Sequence, residues 1–135
     1  MRAGGINWLA VIVAAVAIYA IGFVIYAILI PPEWWMAAEG ITQEEIDKTG
    51  MARMPFSVVM PLMTAIFLAL LFKMGKVADA ATGAKWAVVV ALASAIPALL
   101  YGWVYGVGPF DVTSIDAAHL MLGHVAAGAI LGGWR

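Results

Sequence analysis

Cysteine is absent from the 135-residue chain, and charged residues make up only 11% of it. Without cysteine, the protein has neither disulfides nor thiolate metal ligands. Soluble domains carry about 25% charged residues. The low share found here, together with 65% hydrophobic residues and a mean hydropathy of +1.01, indicates a membrane protein. A net charge of −1 argues against nucleic acid as a partner.

Long apolar runs recur four times, which predicts an all-α membrane protein with four transmembrane helices in a bundle. We expect one domain over residues 1–135, with spans at about 6–30, 55–73, 86–107 and 113–134. Pro31 and Pro32 end the first span because proline cannot donate the backbone hydrogen bond. Pro61 and Pro97 fall inside the second and third spans, where a kink or an opened hydrogen-bond ladder is expected.

Residues 33–54 form the one sizeable polar segment. Trp34 and Trp35 begin it and suit the headgroup layer. Thr42 and Glu45 have the spacing of a capping box, which predicts a short interfacial helix over Gln43–Lys48, between the first and second spans. We interpret the segment as a connector at the membrane surface, and a lid or partner-docking loop is the alternative.

The basic residues are distributed unevenly between the two sides. If the N-terminus is cytoplasmic, five of the seven Lys and Arg residues lie inside and two lie outside. The inner group is Arg2, Lys73, Lys76, Lys85 and Arg135, and the outer group is Lys48 and Arg53. Because cytoplasmic loops carry the excess of basic residues, both termini are predicted to be cytoplasmic.

The last span carries three ionisable residues: Asp116, His119 and His124. On a helix, His119 lies about 60° to one side of Asp116 and His124 about 80° to the other. They therefore share one broad face. Ionisable groups at membrane depth usually face the bundle interior and mark a function. This face is the candidate polar site.

Asp116 has two interpretations. Thr113 and Asp116 also have capping-box spacing, so Asp116 could simply cap the helix. Otherwise Asp116 orients His119 by hydrogen bonding, or the two form half of a metal site that would need a further ligand from Glu33, Asp111 or a second subunit. We predict no metal and no cofactor. Two histidines on one helix also cannot clamp one haem within a protomer.

His124 lies near the predicted midplane of the membrane. The simple interpretation is a neutral histidine hydrogen-bonded to a neighbouring helix, with Tyr19, Ser94 or Thr64 as partners, or a backbone carbonyl there. The alternative is a proton relay through all three residues of the face.

Small residues recur at helical spacing. Gly102 with Gly106, and Gly128 with Gly132, form G-x-x-x-G patterns, and Gly123 lies on the polar face. Such patterns let helix backbones approach closely. They fit packing within the chain as well as between copies of it. We predict a homo-oligomer.

Several short motifs together resemble one family. Asn7-Trp8-Leu9-Ala10 opens the first span, Tyr26 precedes the turn, Trp35-Met36 leads into the acidic connector, and the ending is Asp116…His119…Gly123…Gly128-Ala129-Ile130-Leu131-Gly132…Trp134. In these residues the chain is similar to small bacterial four-helix membrane proteins catalogued as domain of unknown function 1761. The resemblance implies four spans and no established activity. One departure is that Ile25, not a second aromatic residue, stands beside Tyr26.

The chain shows no nucleophile–base pair and no phosphate-binding loop, so we do not expect an enzyme. The first functional hypothesis is an oligomeric protein of the bacterial inner membrane that binds or passes a small solute or protons along the Asp116, His119 and His124 face. The alternative is an accessory or scaffold subunit that packs against a larger membrane complex. The first needs a polar cavity, and the second needs a dry interior.

Overall fold

The computed structural model describes residues 2–134, which are almost entirely helical. A small antiparallel hairpin, β1 (Arg2–Ala3) and β2 (Ile6–Asn7), precedes the helices. The helices are α1 (Trp8–Phe23), α2 (Pro32–Glu39), α3 (Gln43–Glu45), α4 (Met51–Arg53), α5 (Val59–Met74), α6 (Ala80–Val90), α7 (Ile96–Tyr105) and α8 (Phe110–Gly133). Arg135, which was counted above with the inner basic residues, lies outside the described residues.

Within residues 2–134, four helical stretches are long and apolar enough to cross a membrane. They are Trp8–Leu29, Met54–Met74, Ala80–Tyr105 and Phe110–Gly133. The predicted all-α class, with four helices long and apolar enough to span a membrane, is therefore confirmed.

Three of the four stretches contain a turn that is not α-helical. A π-helical segment, Val24–Leu29, extends α1. Another, Ala91–Ala95, joins α6 to α7 and ends two residues before Pro97. A 3₁₀ segment, Met54–Val58, precedes α5. Pro61 lies in the first turn of α5, where a missing N–H leaves few bonds unmade. In this stretch the turn that is not α-helical therefore comes before Pro61, not after it.

Polar caps start three of the helices. The Asn7 side-chain oxygen accepts a hydrogen bond from the Ala10 backbone N–H (3.4 Å) at the start of α1. The Asp79 carboxylate accepts a hydrogen bond from the Thr82 backbone N–H (2.8 Å), which starts α6 at Ala80, six residues before the predicted span. The Thr42–Glu45 capping box forms with both of its bonds. The hydrogen bonds from Thr82 hold the pKa of the Asp79 carboxyl below its usual value. The hydrogen bonds from Thr42 do the same for the pKa of the Glu45 carboxyl. The short helix that follows Thr42 continues as a π turn, Ile46–Gly50.

Both ends of the described chain lie at the same end of the bundle. The Asn7 side-chain amide donates to the Trp134 carbonyl oxygen (3.3 Å), and Lys73 Nζ at the end of α5 donates to the Gly4 carbonyl oxygen (2.7 Å). The chain thus crosses four times and returns. Tyr26 and the start of α8 lie toward the opposite end.

Helix α8 is the centre of the bundle, since it packs on α6 and α1 most extensively and also on α5 and α7. The buried core is built largely from small side chains: Ala10, Ala14, Ala15, Ala65, Ala69, Ala87 and Ala127. Helices in lipid gain little from the hydrophobic effect between them, and van der Waals contact takes its place. Small side chains therefore hold the bundle together by letting the backbones approach.

The closest approach joins α6 to α8. A Cβ atom added at Gly83 would overlap the Gly128 carbonyl oxygen, and one added at Gly132 would overlap the Asp79 carbonyl oxygen. The Gly128–Gly132 pair thus packs within the chain. Gly102 is different, because a Cβ there would have no atom within 4 Å.

A methyl group at Gly83 should force α6 and α8 apart. We expect Gly83→Ala to lower the free energy of unfolding by about 1 to 3 kcal/mol, the usual cost of overpacking, measured as a lower melting temperature in mild detergent. Gly102→Ala is the matched control, and it should leave the melting temperature unchanged or raise it, because alanine favours a helix. Equal melting temperatures for the two variants would contradict the packing described here.

Candidate functional site

Tyr26 joins Asp116 to His119. Its hydroxyl donates to Asp116 Oδ1 (2.6 Å), and the same oxygen lies 3.3 Å from His119 Nδ1. The Tyr26 and His119 rings meet edge-on, with centroids 5.2 Å apart. We call these three residues the Tyr26 cluster. It lies between α1 and α8, and all three side chains are partly buried.

The hydrogen-bond directions in the cluster follow from proton counting. The Tyr26 hydroxyl has one proton, and the 2.6 Å contact uses it toward the carboxylate. A hydrogen bond between His119 Nδ1 and the Tyr26 oxygen therefore needs the proton on Nδ1. In a neutral imidazole the other nitrogen, Nε2, is then a bare acceptor.

His119 Nε2 is buried and has no hydrogen-bond partner in the described part of the chain. It lies against Gly22, where an added Cβ would be 2.9 Å from Nε2. Gly22 therefore makes room for the imidazole ring. An unpartnered buried nitrogen is costly, which makes this atom the chemically distinctive point of the cluster.

The π-helical turn Val24–Leu29 places Tyr26. Such wide turns occur frequently at functional sites. Trp35 of α2 then covers the tyrosine, with ring centroids 5.3 Å apart, and its own Nε1 is buried without a partner. Helix α2 thus closes the cluster from the side of the polar segment.

Asp116 is not a helix cap. Helix α8 begins at Phe110 with Pro109 as its N-cap, so Thr113 and Asp116 lie inside the helix. Thr113 Oγ1 donates to the Pro109 carbonyl oxygen (3.4 Å), not toward Asp116. The capping interpretation is therefore wrong. The helix starts earlier, at Phe110, because the ring of Pro109 fixes its own φ at −71° and Pro109 takes the extended N-cap conformation without a side-chain cap.

His124 does not join the Tyr26 cluster. Its Nδ1 donates to the Leu120 carbonyl oxygen of its own helix (2.7 Å), and the side chain is 7% exposed. None of the partners expected on neighbouring helices is bonded to it. The face predicted from the sequence is therefore divided, with Asp116 and His119 toward α1 and His124 toward α5 and α6.

His124 lines a second feature, an open cavity of about 370 Å³ between α5, α6 and α8. Its walls are Met63, Thr64, Phe67, Leu68, Leu71, Val90, Ser94 and His124. The hydroxyls of Thr64 and Ser94 donate to carbonyl oxygens of their own helices, at Met60 and Val90. With His124 Nδ1 also used as a donor, the donors of these three side chains are all committed within their own helices, and the three side chains offer a ligand only acceptors. We call it the His124 groove.

No metal site is formed within residues 2–134, where no group of three or more His, Asp or Glu side chains converges. Asp116 and His119 are brought together by a tyrosine, and neither Glu33 nor Asp111 bonds to them.

The sequence pattern predicts no role for Gly22, and it marks Tyr26 only as part of a family motif. The number of spans was the one sequence signal for the contact between Tyr26 and α8. With four spans, the end of the first and the start of the last lie on the same side of the membrane. The identity of the partner depends on the π turn, which the sequence pattern does not reveal.

The fold and the cluster together define a class: all-α proteins with four helices long and apolar enough to span a membrane, which hold hydrogen-bonded ionisable side chains between the first and the last of these helices. Within that class, the chain belongs to the family described as "Protein of unknown function (DUF1761)", whose sequence model matches residues 9–132. The resemblance drawn from the short motifs is thereby confirmed. A search of curated proteins and a search of solved structures gave no match.

Removing the bridging hydroxyl should weaken the contact between α1 and α8. We expect Tyr26→Phe to lower the free energy of unfolding by about 0.5 to 2 kcal/mol, the range for hydrogen bonds between membrane helices, read as a lower melting temperature in detergent. Tyr19→Phe on the same helix is the control, because Tyr19 is exposed. If both variants have the melting temperature of the wild-type protein, the Tyr26 hydrogen bond does not hold these helices together.

Proposed function

We propose that this integral membrane protein, placed in the bacterial inner membrane with both termini in the cytoplasm, transfers protons through the Tyr26 cluster. The observation that carries the proposal is that a single hydroxyl bridges the carboxylate of Asp116 and the imidazole of His119. Hydrogen-bonded ionisable groups at membrane depth are the components of proton relays. Histidine is the side chain suited to exchange a proton near neutral pH.

The transfer balances with water as the only other reactant. A proton binds to the bare Nε2 of His119. The Nδ1–H proton then passes to the Tyr26 oxygen as the Tyr26 O–H proton passes to the Asp116 carboxylate. The cluster ends as a neutral imidazole with its proton on Nε2, a neutral tyrosine and a protonated aspartate. Loss of that proton from Asp116 and rotation of the Tyr26 hydroxyl restore the first hydrogen bond. The imidazole returns to its starting tautomer by releasing the Nε2 proton to water and taking up another proton at Nδ1 from water on the same side.

The cluster covers only part of a crossing. At about 1.5 Å per residue, Asp116 lies about 9 Å along α8 from Phe110, His119 about 13 Å and His124 about 21 Å. A complete path therefore needs groups beyond His119, and His124 is the next ionisable side chain on the helix. Water or a second copy of the chain would have to complete it.

The proposed function is tested by proton flux in liposomes that enclose a pH-sensitive dye, with a potassium diffusion potential as the driving force. We expect the wild-type protein to raise the flux above that of protein-free liposomes. Tyr26→Phe should reduce the protein-dependent flux at least about tenfold, since the relay then has no hydroxyl.

The chain offers a matched control for each member of the cluster. Tyr19→Phe lies in the same helical stretch, Trp8–Leu29, as Tyr26→Phe, and Asp111→Asn shares α8 with Asp116→Asn. His119→Gln is matched by His124→Gln, which also asks whether His124 belongs to the path. Wild-type flux in Tyr26→Phe, or no flux from the correctly folded wild-type protein, would refute the proposal.

The His124 groove supports a second candidate, the binding of a small lipophilic solute. A cavity of about 370 Å³ lies within the usual size range of ligand sites. Its walls are mostly apolar, and its polar atoms act as acceptors, so its ligand would be a lipophilic molecule with a hydrogen-bond donor, such as a hydroxyl. This candidate does not depend on the Tyr26 cluster.

A matched pair of probes tests the second candidate. 1-Dodecanol, which has a donor, should raise the melting temperature in a saturable way, and methyl dodecyl ether, which has none, should not. His124→Leu should abolish the effect of dodecanol, because the imidazole acceptor is gone. Equal stabilisation by the alcohol and the ether would mean that the groove only takes up apolar chains.

Assembly is part of the proposal. Because Gly128 and Gly132 pack against α6, contact between copies in a homo-oligomer has to use another surface, and the face around Gly102 is open. An accessory role in a larger membrane complex is the alternative if neither proton flux nor donor-selective binding is found.

A further inference from the structure

A basic cavity lies at the opposite end of the bundle from the Tyr26 cluster. It measures about 300 Å³ and is lined by Arg2, Gly5, Ile6, Asn7, Ala10, Ala69, Phe72, Lys73, Lys76, Val77, Leu131 and Trp134. Its walls come from the hairpin, α1, α5 and α8. Three of its residues are cationic and none is acidic. We call it the basic cavity.

Within residues 2–134, none of the three cations forms an ion pair. The one ion pair in the described part of the chain joins Lys48 to Glu44, in the polar segment. Asp79, at the same end as the cavity, is committed to the N-cap of α6. Like charges held around one cavity repel each other, and an anion in the cavity would offset that repulsion.

The lysines are fixed by the backbone around them. Lys73 Nζ is held by the Gly4 carbonyl oxygen (2.7 Å). Lys76 has a φ of 52°, the left-handed region that glycine adopts easily and lysine does not. It stands where a helix C-terminus usually has glycine, with the Val77 N–H bonded back to the Phe72 carbonyl oxygen (3.0 Å). A strained residue at such a position suggests a use for its side chain.

The floor of the cavity is apolar, and its mouth is charged. Ala10, Ala69, Phe72 and Leu131 are core residues of three helices, and Ile6 and Val77 are buried beside them. Arg2, Lys73 and Lys76 are exposed. An amphipathic anion fits this arrangement, with its charge at the mouth and its apolar part along the floor. Basic pockets between helices at the cytoplasmic surface are known to take anionic lipid headgroups.

We propose that the basic cavity binds the phosphodiester headgroup of an anionic phospholipid. Lys73, Lys76 and Arg2 contact the phosphate, and the glycerol end of an acyl chain lies against Phe72 and Leu131. The site is independent of the Tyr26 cluster and of the His124 groove. The binding energy comes from charge at the mouth and from dispersion along the floor, so a free phosphate ion gains only the first contribution.

The test measures lipid binding by native mass spectrometry and by melting temperature in a neutral detergent. Phosphatidylglycerol should bind and stabilise, whereas phosphatidylcholine should do neither. Lys73→Gln and Lys76→Gln should each weaken phosphatidylglycerol binding about fivefold, the factor for about 1 kcal/mol per basic residue. Lys85→Gln removes the same charge from α6, outside the cavity. This variant should bind phosphatidylglycerol as tightly as the wild-type protein does.

Lys76→Gly separates the proposed role from a structural one. Glycine relieves the left-handed backbone, so this variant should melt at a higher temperature than the wild-type protein without lipid. It should nevertheless lose most of the stabilisation by phosphatidylglycerol. A loss of lipid stabilisation in this variant therefore cannot be explained by a less stable fold.

Three results would overturn the proposal. Equal losses in Lys85→Gln and Lys76→Gln would mean diffuse attraction to net charge. Equal binding of phosphatidylcholine would mean that the negative charge is not recognised. Inorganic phosphate or glycerol phosphate, if as effective as the lipid, would mean a site for a soluble anion. None of these outcomes bears on proton flux.

Discussion

The structure depends on the contact between the backbones of α6 and α8. In lipid, apolar side chains gain little by leaving one hydrocarbon environment for another, so helices associate where their atoms come closest. Gly83, Gly128 and Gly132 allow this by having no side chain at the point of crossing. With one face of α8 held against α6, its other faces are set toward α1 and α5, and the position of every polar group on α8 follows.

The contact between α1 and α8 uses the same device and adds polarity. Gly123 packs on Ile18, where a Cβ would lie 3.2 Å from the side chain, and Gly22 makes room for His119. Together these two contacts bring the backbones close enough for the 2.6 Å bond from Tyr26 to Asp116, which lies about one turn further along. A polar group in this interface would be costly without a partner. The bond therefore favours one register of the two helices over registers shifted by a residue.

The spans and the shared direction of Asp116 and His119 were predictable, because they rest on hydropathy and on helical spacing within one segment. The outcome for His124 was not. It is about 140° from His119 around the helix, and the boundary between two neighbouring helices falls inside that angle. Which neighbour each residue meets depends on the crossing of α8 with α1, α5 and α6. The start of α6 was missed for a local reason: Asp79 caps a helix whose first residues are too small and polar to extend the apolar run.

Helix α8 is one continuous helix, so a movement at one of its ends moves the other end as well. Trp134, just past the helix, lines the basic cavity, and Asp116 lies in the Tyr26 cluster 18 residues earlier, about 27 Å away at the rise of an α-helix. Over that length a tilt of about 1° moves one end by about 0.5 Å relative to the other. A hydrogen bond of 2.6 Å is lengthened beyond the usual range for O–H···O bonds by such a movement. The contacts that fix α8 at one end are the glycines against α6 and the bond from Asn7 to the Trp134 carbonyl oxygen. They therefore also determine whether Tyr26 and Asp116 stay in contact at the other end.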